Sequence, residues 1–397
     1  ESWSTMFSAI VARAEQIEVL STGSSETFNG MLQLIQAEYQ VLSIGLPTRQ
    51  NSFLRYCKQH GPKIWAVVDV PADYFHPFRL TSSQRWPSGC LIKEKPMGCS
   101  KVTWIDHVEV NGQILNYMYQ PLVDSGFAYG AKRWIAILQR QSERLAFLMA
   151  SNNLCGEFGV ISTDGKTRRS LLRLAERMVT SFCSGFGSSY SWNARPDSTI
   201  GHGMIQTRMT VDDPLCGTGT AVTAAASYCL RVKPDRLFDY LLNKNFRNEW
   251  DFSSFGGLVK QTAHVFLGNH PGNCVSLLRI DDAVTGLPKS VILIESNTDV
   301  TGSQIVYTPL CINTMQELLN GGNPETVFIF PSGFNIHPGP VLEDGSSSSS
   351  LVTFSLKALI DSKEVANSSQ RVQTKIEKAV MDTISRIESA LARSQFN

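Results

Sequence analysis

Residues 100–110 read Ser-Lys-Val-Thr-Trp-Ile-Asp-His-Val-Glu-Val, and this stretch says most about the fold. Apolar and polar residues alternate along it, and the apolar positions carry mainly β-branched and aromatic side chains. That pattern predicts a half-buried β-strand. Because successive side chains of a strand point to opposite faces, Asp106 is expected in the middle of an otherwise apolar face.

A second charge, Arg55, lies between Phe53 and Cys57 on the apolar side of another predicted strand, 52–58. A buried unpaired charge costs several kcal/mol. If their faces are buried, Arg55 and Asp106 therefore pair with each other, contact water or face an internal cavity. A cavity with apolar walls and a few charged groups suits an amphiphilic ligand. The alternative, with both charges on the solvent face, is equally compatible with the sequence.

Further strand-like segments and one long helix surround these two strands in the first half of the chain. The pattern predicts a helix over 2–14 and strands over 31–41, 52–58, 64–70, 90–93 and 101–110. A helix over 130–149 follows, with Trp134, Ile137 and Leu138 on its apolar stripe. Its other face carries Lys132, Arg133, Arg140 and Arg144.

The same order recurs in the second half, after a turn-rich segment at 152–165. Several strands follow there, among them one over 326–330, and the last element is an amphipathic helix with Ile376, Val380 and Ile384 on one stripe. We therefore expect two domains, 1–154 and 155–397, divided near Leu154. Each is predicted to have an α+β fold in which a curved antiparallel sheet is closed by a long C-terminal helix.

Composition excludes several classes of function. The chain of 397 residues has 36 basic and 35 acidic side chains and a formal charge of +1, without the clustered basic excess that binding to DNA or RNA needs. It has no apolar stretch long enough to span a bilayer. Its nine cysteines are spread evenly, which indicates reduced thiols in cytosol or nucleus. The chain does not begin with Met, which is typical of a piece of a longer protein.

Motifs for catalysis, cofactors and metals are absent or fail on spacing. Residues 159–167 resemble a phosphate-binding loop, but five residues instead of four separate Gly159 from Gly165. His107 and Glu109 share a strand face without a nucleophile beside them. The sequence lacks a Cys-x-x-Cys pair. We therefore expect no enzyme activity, no cofactor and no metal site.

Several ordered motifs resemble one known family, the plant class IV homeodomain-leucine zipper transcription factors. The motifs resemble their START (StAR-related lipid-transfer) domain and the START-associated region that follows it. The motifs are Tyr56-Cys57-Lys58-Gln59, Arg85-Trp86-Pro87-Ser88-Gly89-Cys90, the stretch 100–110, Gly130-Ala131-Lys132-Arg133-Trp134, Arg247-Asn248-Glu249-Trp250-Asp251 and Pro331-Ser332-Gly333-Phe334. The resemblance covers essentially the whole chain.

The resemblance implies two START-like helix-grip domains, of which the first, 1–154, is incomplete at its N-terminus. It implies a lipid-binding regulatory region that takes up a phospholipid, sphingolipid or sterol and works in the nucleus. Full-length relatives bind DNA as dimers through a homeodomain and a zipper, which this sequence lacks, so this chain alone is not expected to contact nucleic acid. Two alternatives stay open: a free-standing intracellular lipid-transfer protein, and an enzyme of the cyclase type, which related folds can host.

The lipid pocket is expected between the first sheet and the helix at 130–149. The helix must cover the concave face of the sheet with its apolar stripe, and an amphiphile needs an apolar trough with few charges. The candidate polar contacts are Arg49, Arg55 and Asp106. The candidate apolar wall consists of Trp104, Trp134 and Leu138.

Overall fold

Antiparallel β-sheets dominate the computed structural model, which describes residues 2–72, 83–110, 116–149, 165–187, 193–200, 203–211, 216–341, 349–360 and 362–393. The chain divides into two compact units. Unit 1 comprises the described residues of 1–41, 46–139 and 186–189, and unit 2 those of 42–45, 140–185 and 190–397. The expected boundary at Leu154 lies outside the described residues and stays a prediction.

Unit 1 contains a six-stranded sheet and a small two-stranded one. Its strands are β1 Val11–Thr22, β2 Met31–Tyr39, β3 Arg49–Gly61, β4 Ile64–Pro71, β5 Ser83–Arg85, β6 Ser88–Glu94, β7 Ser100–Ile105 and β8 Val108–Val110. The large sheet has the order β1-β2-β3-β4-β6-β7, and β5 pairs with β8. All of these pairs are antiparallel. The meander predicted from the sequence is thus present.

The first predicted helix is wrong over most of its length. Helix α1 covers only Ser2–Met6, and residues 11–22 form β1. β1 pairs with β2 along its whole length, from Val11 opposite Tyr39 to Thr22 opposite Met31. The strand conformation of residues 11–22 therefore depends on pairing with β2, which the local pattern of apolar residues does not reveal.

The strand expected over 101–110 is also interrupted, at Asp106. β7 ends at Ile105, and the chain resumes as β8 in the other sheet. The backbone of His107 makes its hydrogen bonds outside the ladder: its N–H donates to Ser88 Oγ at 3.0 Å and its carbonyl accepts from Trp86 N at 2.8 Å. Asp106 therefore lies in the break between β7 and β8.

Two helices follow the strands, α2 Gln120–Asp124 and α3 Ala131–Met149. On α3, Trp134 and Ile137 are buried as predicted. The expected polar face is wrong in part, because Arg133 and Arg144 are also buried. Both guanidinium groups donate to backbone carbonyl oxygens, which makes their burial tolerable.

Unit 2 contains a nine-stranded antiparallel sheet and most of the helices. Its strands are β9 Asn193–Ile200, β10 Gly203–Val211, β11 Thr220–Leu230, β12 Gly257–Phe266, β13 Cys274–Asp282, β14 Pro288–Asp299, β15 Gly302–Leu310, β16 Ser332–Pro338 and β17 Ser350–Ile360. The helices are α4 Gly165–Ser184, α5 Pro234–Leu242, α6 Arg247–Trp250, α7 Ile312–Leu319 and α8 Ser362–Arg393. The strand order is β12-β13-β14-β15-β16-β17-β11-β10-β9.

The core of unit 2 lies between this sheet and α8. The helix contacts β10, β11 and β17 and contributes the predicted stripe, including Ile376, Val380 and Ile384, to one hydrophobic cluster. Phe334 and Phe354 stack in that cluster with ring centres 4.4 Å apart. Large side chains thus occupy the space between the sheet and its last helix.

The strand predicted over 326–330 is wrong. Residues 324–326 form a turn of 3₁₀-helix, and β16 starts only at Ser332. The backbone here is held by side chains instead of a ladder: Val327 O accepts from Arg177 Nη1 at 2.8 Å, and Phe330 N donates to Thr308 Oγ1 at 3.0 Å. Strands β9 and β10 and helix α7 were not predicted.

A helix that crosses a membrane must be both long and apolar. None of the helices in the described ranges combines the length and the apolar character needed to cross a bilayer.

Candidate functional site

A small cavity in unit 1 brings together residues from strands and loops that are distant in sequence. Tyr39 ends β2 and pairs with Arg49, which begins β3. The lining residues are Ile10, Tyr39, Gln40, Arg49, Asn51, Arg85, Asp106, Val108, Ala128, Tyr129, Gly130, Arg133 and Trp134. The cavity leaves about 20 Å³ of space for the centre of a water molecule, which is room for one or two waters.

Asp106 forms the centre of a buried network on one side of the cavity. Its Oδ1 lies 2.9 Å from Arg85 Nη2, and its Oδ2 accepts a 3.0 Å hydrogen bond from Trp134 Nε1. The two charged side chains are 3% and 8% exposed. Arg85 also lies over the ring of Tyr39, with Cζ 4.8 Å from the ring centre. The carboxylate thus neutralises Arg85 and orients the Trp134 indole.

Arg133 joins three segments of the cavity wall through its guanidinium. It donates to the carbonyl oxygens of Gln40, Ala128 and Ala9. Hydrogen bonds of this kind, from a charged donor to buried acceptors, are among the stronger ones in proteins. Arg133 therefore fixes the start of α3 against the loops beside it.

Arg49 differs from the other two arginines of the cavity. Its side chain is buried, and neither Nε nor Nη1 has a hydrogen-bond partner within the described parts of the chain. The guanidinium lies over the Tyr129 ring, with Cζ 3.8 Å from the ring centre. Burial lowers the pKa of Arg49, partly opposed by its interaction with Tyr129. A cation held in this way is stabilised by an aromatic face but has no counter-charge among the described residues.

Arg55 is not among the described residues that line the cavity, and of the alternatives that the sequence left open, its pairing with Asp106 is wrong. It forms two hydrogen bonds to Asp69, Nε to Oδ1 at 2.7 Å and Nη2 to Oδ2 at 2.8 Å. Arg55 and Asp69 are register partners on β3 and β4, while Arg85 occupies the carboxylate of Asp106. Strand register therefore determines the partner of Arg55.

An aromatic stack adjoins the cavity. The Trp134 indole lies between those of Trp3 and Trp104, with ring centres 5.8 Å and 5.0 Å away and interplanar angles of 9° and 11°. Phe7 meets Trp134 edge-on at 5.0 Å. Trp104 does not itself line the cavity.

Only half of the six site residues proposed from the sequence line the cavity. Three of them, Arg49, Asp106 and Trp134, line the cavity, whereas Arg55, Trp104 and Leu138 do not. Sequence reasoning missed six lining residues with polar side chains: Tyr39, Gln40, Asn51, Arg85, Tyr129 and Arg133. A signal existed for Arg85 and Arg133, which stand inside two of the family-like motifs quoted above.

Two family models match the chain in sequence order. Residues 1–144 match the START domain, and residues 164–393 match the domain described as "PDF2-like, C-terminal domain". The second match alone covers more than half of the chain.

Curated relatives match along nearly the whole chain. Homeobox-leucine zipper protein HDG1 of Arabidopsis thaliana is 37% identical over 98% of this chain and 50% of the relative. Homeobox-leucine zipper protein ROC4 of Oryza sativa subsp. japonica is 38% identical over 98% of this chain and 51% of the relative. The chain therefore spans about half the length of these relatives. Among solved structures, human StAR-related lipid transfer protein 5 aligns with a TM-score of 0.34 at 15% identity, over 58% of this chain and 98% of that one.

Proposed function

Since this chain belongs to the class IV homeodomain-leucine zipper family, through a START domain followed by a PDF2-like C-terminal domain, we propose that it is a lipid-binding regulatory region of such a transcription factor. Unit 1 binds a lipid in the cavity beside α3. Occupancy of that cavity then modulates the activity of the full-length protein.

The cavity in unit 1 is the observation that carries this proposal. Its wall combines apolar side chains such as Ile10, Val108 and Ala128 with a few buried charged groups. That combination is typical of sites for amphiphilic small molecules, because the apolar wall binds the tail and the polar groups fix the head. The aromatic stack around Trp134 adds apolar surface next to the cavity.

In this proposal the two units are START-like domains of the helix-grip type. In unit 1 the cavity beside Trp134, near the start of α3, is the lipid site. In unit 2 the equivalent helix is α8, and the core between it and the sheet is occupied by side chains such as Phe334 and Phe354. We infer that the two units have separate roles and that the ligand binds to unit 1.

Filling the cavity should block lipid binding. Ala128 lines the cavity and is 1% exposed, so Ala128→Phe places a ring where the ligand would lie. We expect at least a tenfold drop in bound lipid after incubation with vesicles of phosphatidylcholine, ceramide, sitosterol and hexadecanoic acid. Native mass spectrometry of the re-purified chain measures the bound fraction and identifies the lipid class.

Ala136→Phe is the matched control. Ala136 is buried in the same unit but does not line the cavity. Both substitutions overpack the interior and are expected to cost about 1–3 kcal/mol of stability. Equal lipid occupancy in the two variants would refute the cavity as the binding site, and no bound lipid in the unsubstituted chain would refute the proposed function.

The curated relatives also suggest where the full-length protein works and which part of it binds DNA. The curated relatives are named homeobox-leucine zipper proteins. We propose that the full-length protein works in the nucleus and that DNA binding belongs to a segment outside this chain, because the chain has a formal charge of only +1. Lipid binding here is regulatory and non-enzymatic in this proposal.

A further inference from the structure

The charges that line the cavity do not balance. Among the residues that the structure describes, three arginines and one carboxylate line it. Arg85 is paired with Asp106, and Arg133 donates to three backbone carbonyl oxygens. Arg49 is the one remaining cation of the lining. It is 7% exposed, and within the described residues two of its nitrogen atoms have no acceptor.

Two hydroxyl groups on residues that line the cavity are also without partners in the described part of the chain. Tyr39 Oη and Tyr129 Oη are buried atoms with no hydrogen-bond partner in the described part of the chain. Burial raises the pKa of both phenols, so they stay protonated and can donate. The cavity wall thus presents a guanidinium and two hydroxyl groups, a set that requires an acceptor bearing negative charge.

The size of the cavity limits what this acceptor can be. Its space corresponds to one or two water molecules, which matches the two oxygen atoms of a carboxylate. A phosphodiester with a choline or inositol group needs several times that space. An alkyl chain also needs far more space than the cavity holds, so only the carboxylate can lie beside Arg49 within it, and the cavity wall must move apart to admit the chain. Because a guanidinium can donate two parallel hydrogen bonds to a carboxylate, Arg49 has the geometry to bind one tightly.

We propose that the lipid bound by unit 1 is a long-chain carboxylic acid whose carboxylate pairs with Arg49. This inference rests on the proposed function and names the ligand class for the same site. Tyr129, whose ring lies under Arg49, donates to the carboxylate, and the first methylenes pass Ile10, Val108 and Ala128 once the wall has moved apart. The Arg85–Asp106 and Arg55–Asp69 pairs are neutralised internally and do not select the head group.

Isothermal titration calorimetry on the full chain tests the proposal with three probes. Hexadecanoate carries charge and tail, hexadecanol carries the tail alone, and acetate carries the charge alone. Removing one partner of a buried, hydrogen-bonded charge pair costs 2–5 kcal/mol, so hexadecanoate should bind about 30-fold or more tighter than hexadecanol. Acetate should not bind measurably at millimolar concentration.

Variants of Arg49 test whether this residue causes the tighter binding of hexadecanoate than of hexadecanol. Arg49→Gln should abolish the difference between acid and alcohol, while Arg49→Lys, which keeps the charge but not the two parallel hydrogen bonds, should keep only part of it. Arg49→Gln should also unfold at the same or a higher temperature without ligand, because it removes a buried charge that no carboxylate neutralises. Arg13→Gln, at an exposed arginine, is the control and should change neither property.

Each other outcome counts against the proposal in a different way. Equal binding of hexadecanoate and hexadecanol would overturn the acidic ligand but leave lipid binding intact. Binding of acetate as tight as that of hexadecanoate would replace the lipid by a small free anion. An Arg49→Gln variant that unfolds several degrees earlier without ligand would show that Arg49 has a structural role instead. If neither long-chain probe binds, the acidic ligand fails, and the vesicle experiment with Ala128→Phe then decides whether the proposed function stands.

Discussion

Replacing Asp106 by Leu is expected to lower the free energy of unfolding of unit 1 by about 3–5 kcal/mol, since breaking a buried ion pair leaves an uncompensated charge. The substitution leaves Arg85, whose side chain is 8% exposed, without its carboxylate partner, and it leaves Trp134 Nε1 without its acceptor. The urea dependence of hydrogen exchange in peptides from β7 and α3 measures this loss within unit 1.

Two further variants separate the charge effect from a general effect of Leu. Asp124→Leu, at an exposed position of α2, should change stability by no more than about 0.5 kcal/mol. The double substitution of Arg85 and Asp106 by Leu should recover much of the loss, because it removes both charges together. A cost below 1 kcal/mol for Asp106→Leu alone would mean that water reaches Arg85 and that the site is wetter than its burial indicates.

Replacing Phe334 by Ala should destabilise unit 2 by about 3–5 kcal/mol, the range measured for large aromatic side chains in protein cores. Phe334 is fully buried, stacks on Phe354 and meets Trp250 edge-on at 5.3 Å. Its removal leaves a cavity at the centre of the cluster under α8. Thermal unfolding of the chain by differential scanning calorimetry gives the cost.

Phe328→Ala is the matched control for this variant. Phe328 lies six residues earlier and is 58% exposed, so its truncation should cost less than about 1 kcal/mol. Similar losses in the two variants would contradict the assignment of the core. A large loss for Phe334→Ala that also lowers exchange protection in unit 1 would show that the two units unfold together.

Elements with a strong one-sided pattern could be predicted from the sequence. The helices α3 and α8 and the strands of the meander follow from periodicity, because each buries one face whatever its neighbours are. β1 could not be predicted in this way. Most of its side chains are exposed, and what makes residues 11–22 a strand is the backbone pairing with β2.

The candidate site was predictable in outline but not in its pairings. Burying Asp106 and Arg55 on apolar faces correctly implies that both need partners, and the structure supplies one to each. The partner of each charge depends on how the strands are placed. Asp69 lies opposite Arg55 in the register of β3 and β4. Asp106 lies in the break between β7 and β8, where the backbone N–H of His107 donates to the Ser88 side chain and not to a neighbouring strand. Arg49 shows the limit most clearly, because a missing counter-charge can be recognised only after every neighbour has been placed.

The stack of Trp3, Trp134 and Trp104 also gives unit 1 an intrinsic optical label. Three of the seven indoles of the chain form this stack beside the cavity, in which Trp134 lies nearly parallel to both Trp3 and Trp104. Parallel indoles at 5–6 Å couple electronically, so they produce a strong near-ultraviolet circular dichroism band whose shape depends on their mutual angle. Any ligand that displaces Trp3 or tilts Trp134 will change that band, which allows uptake to be followed in real time without attaching a dye.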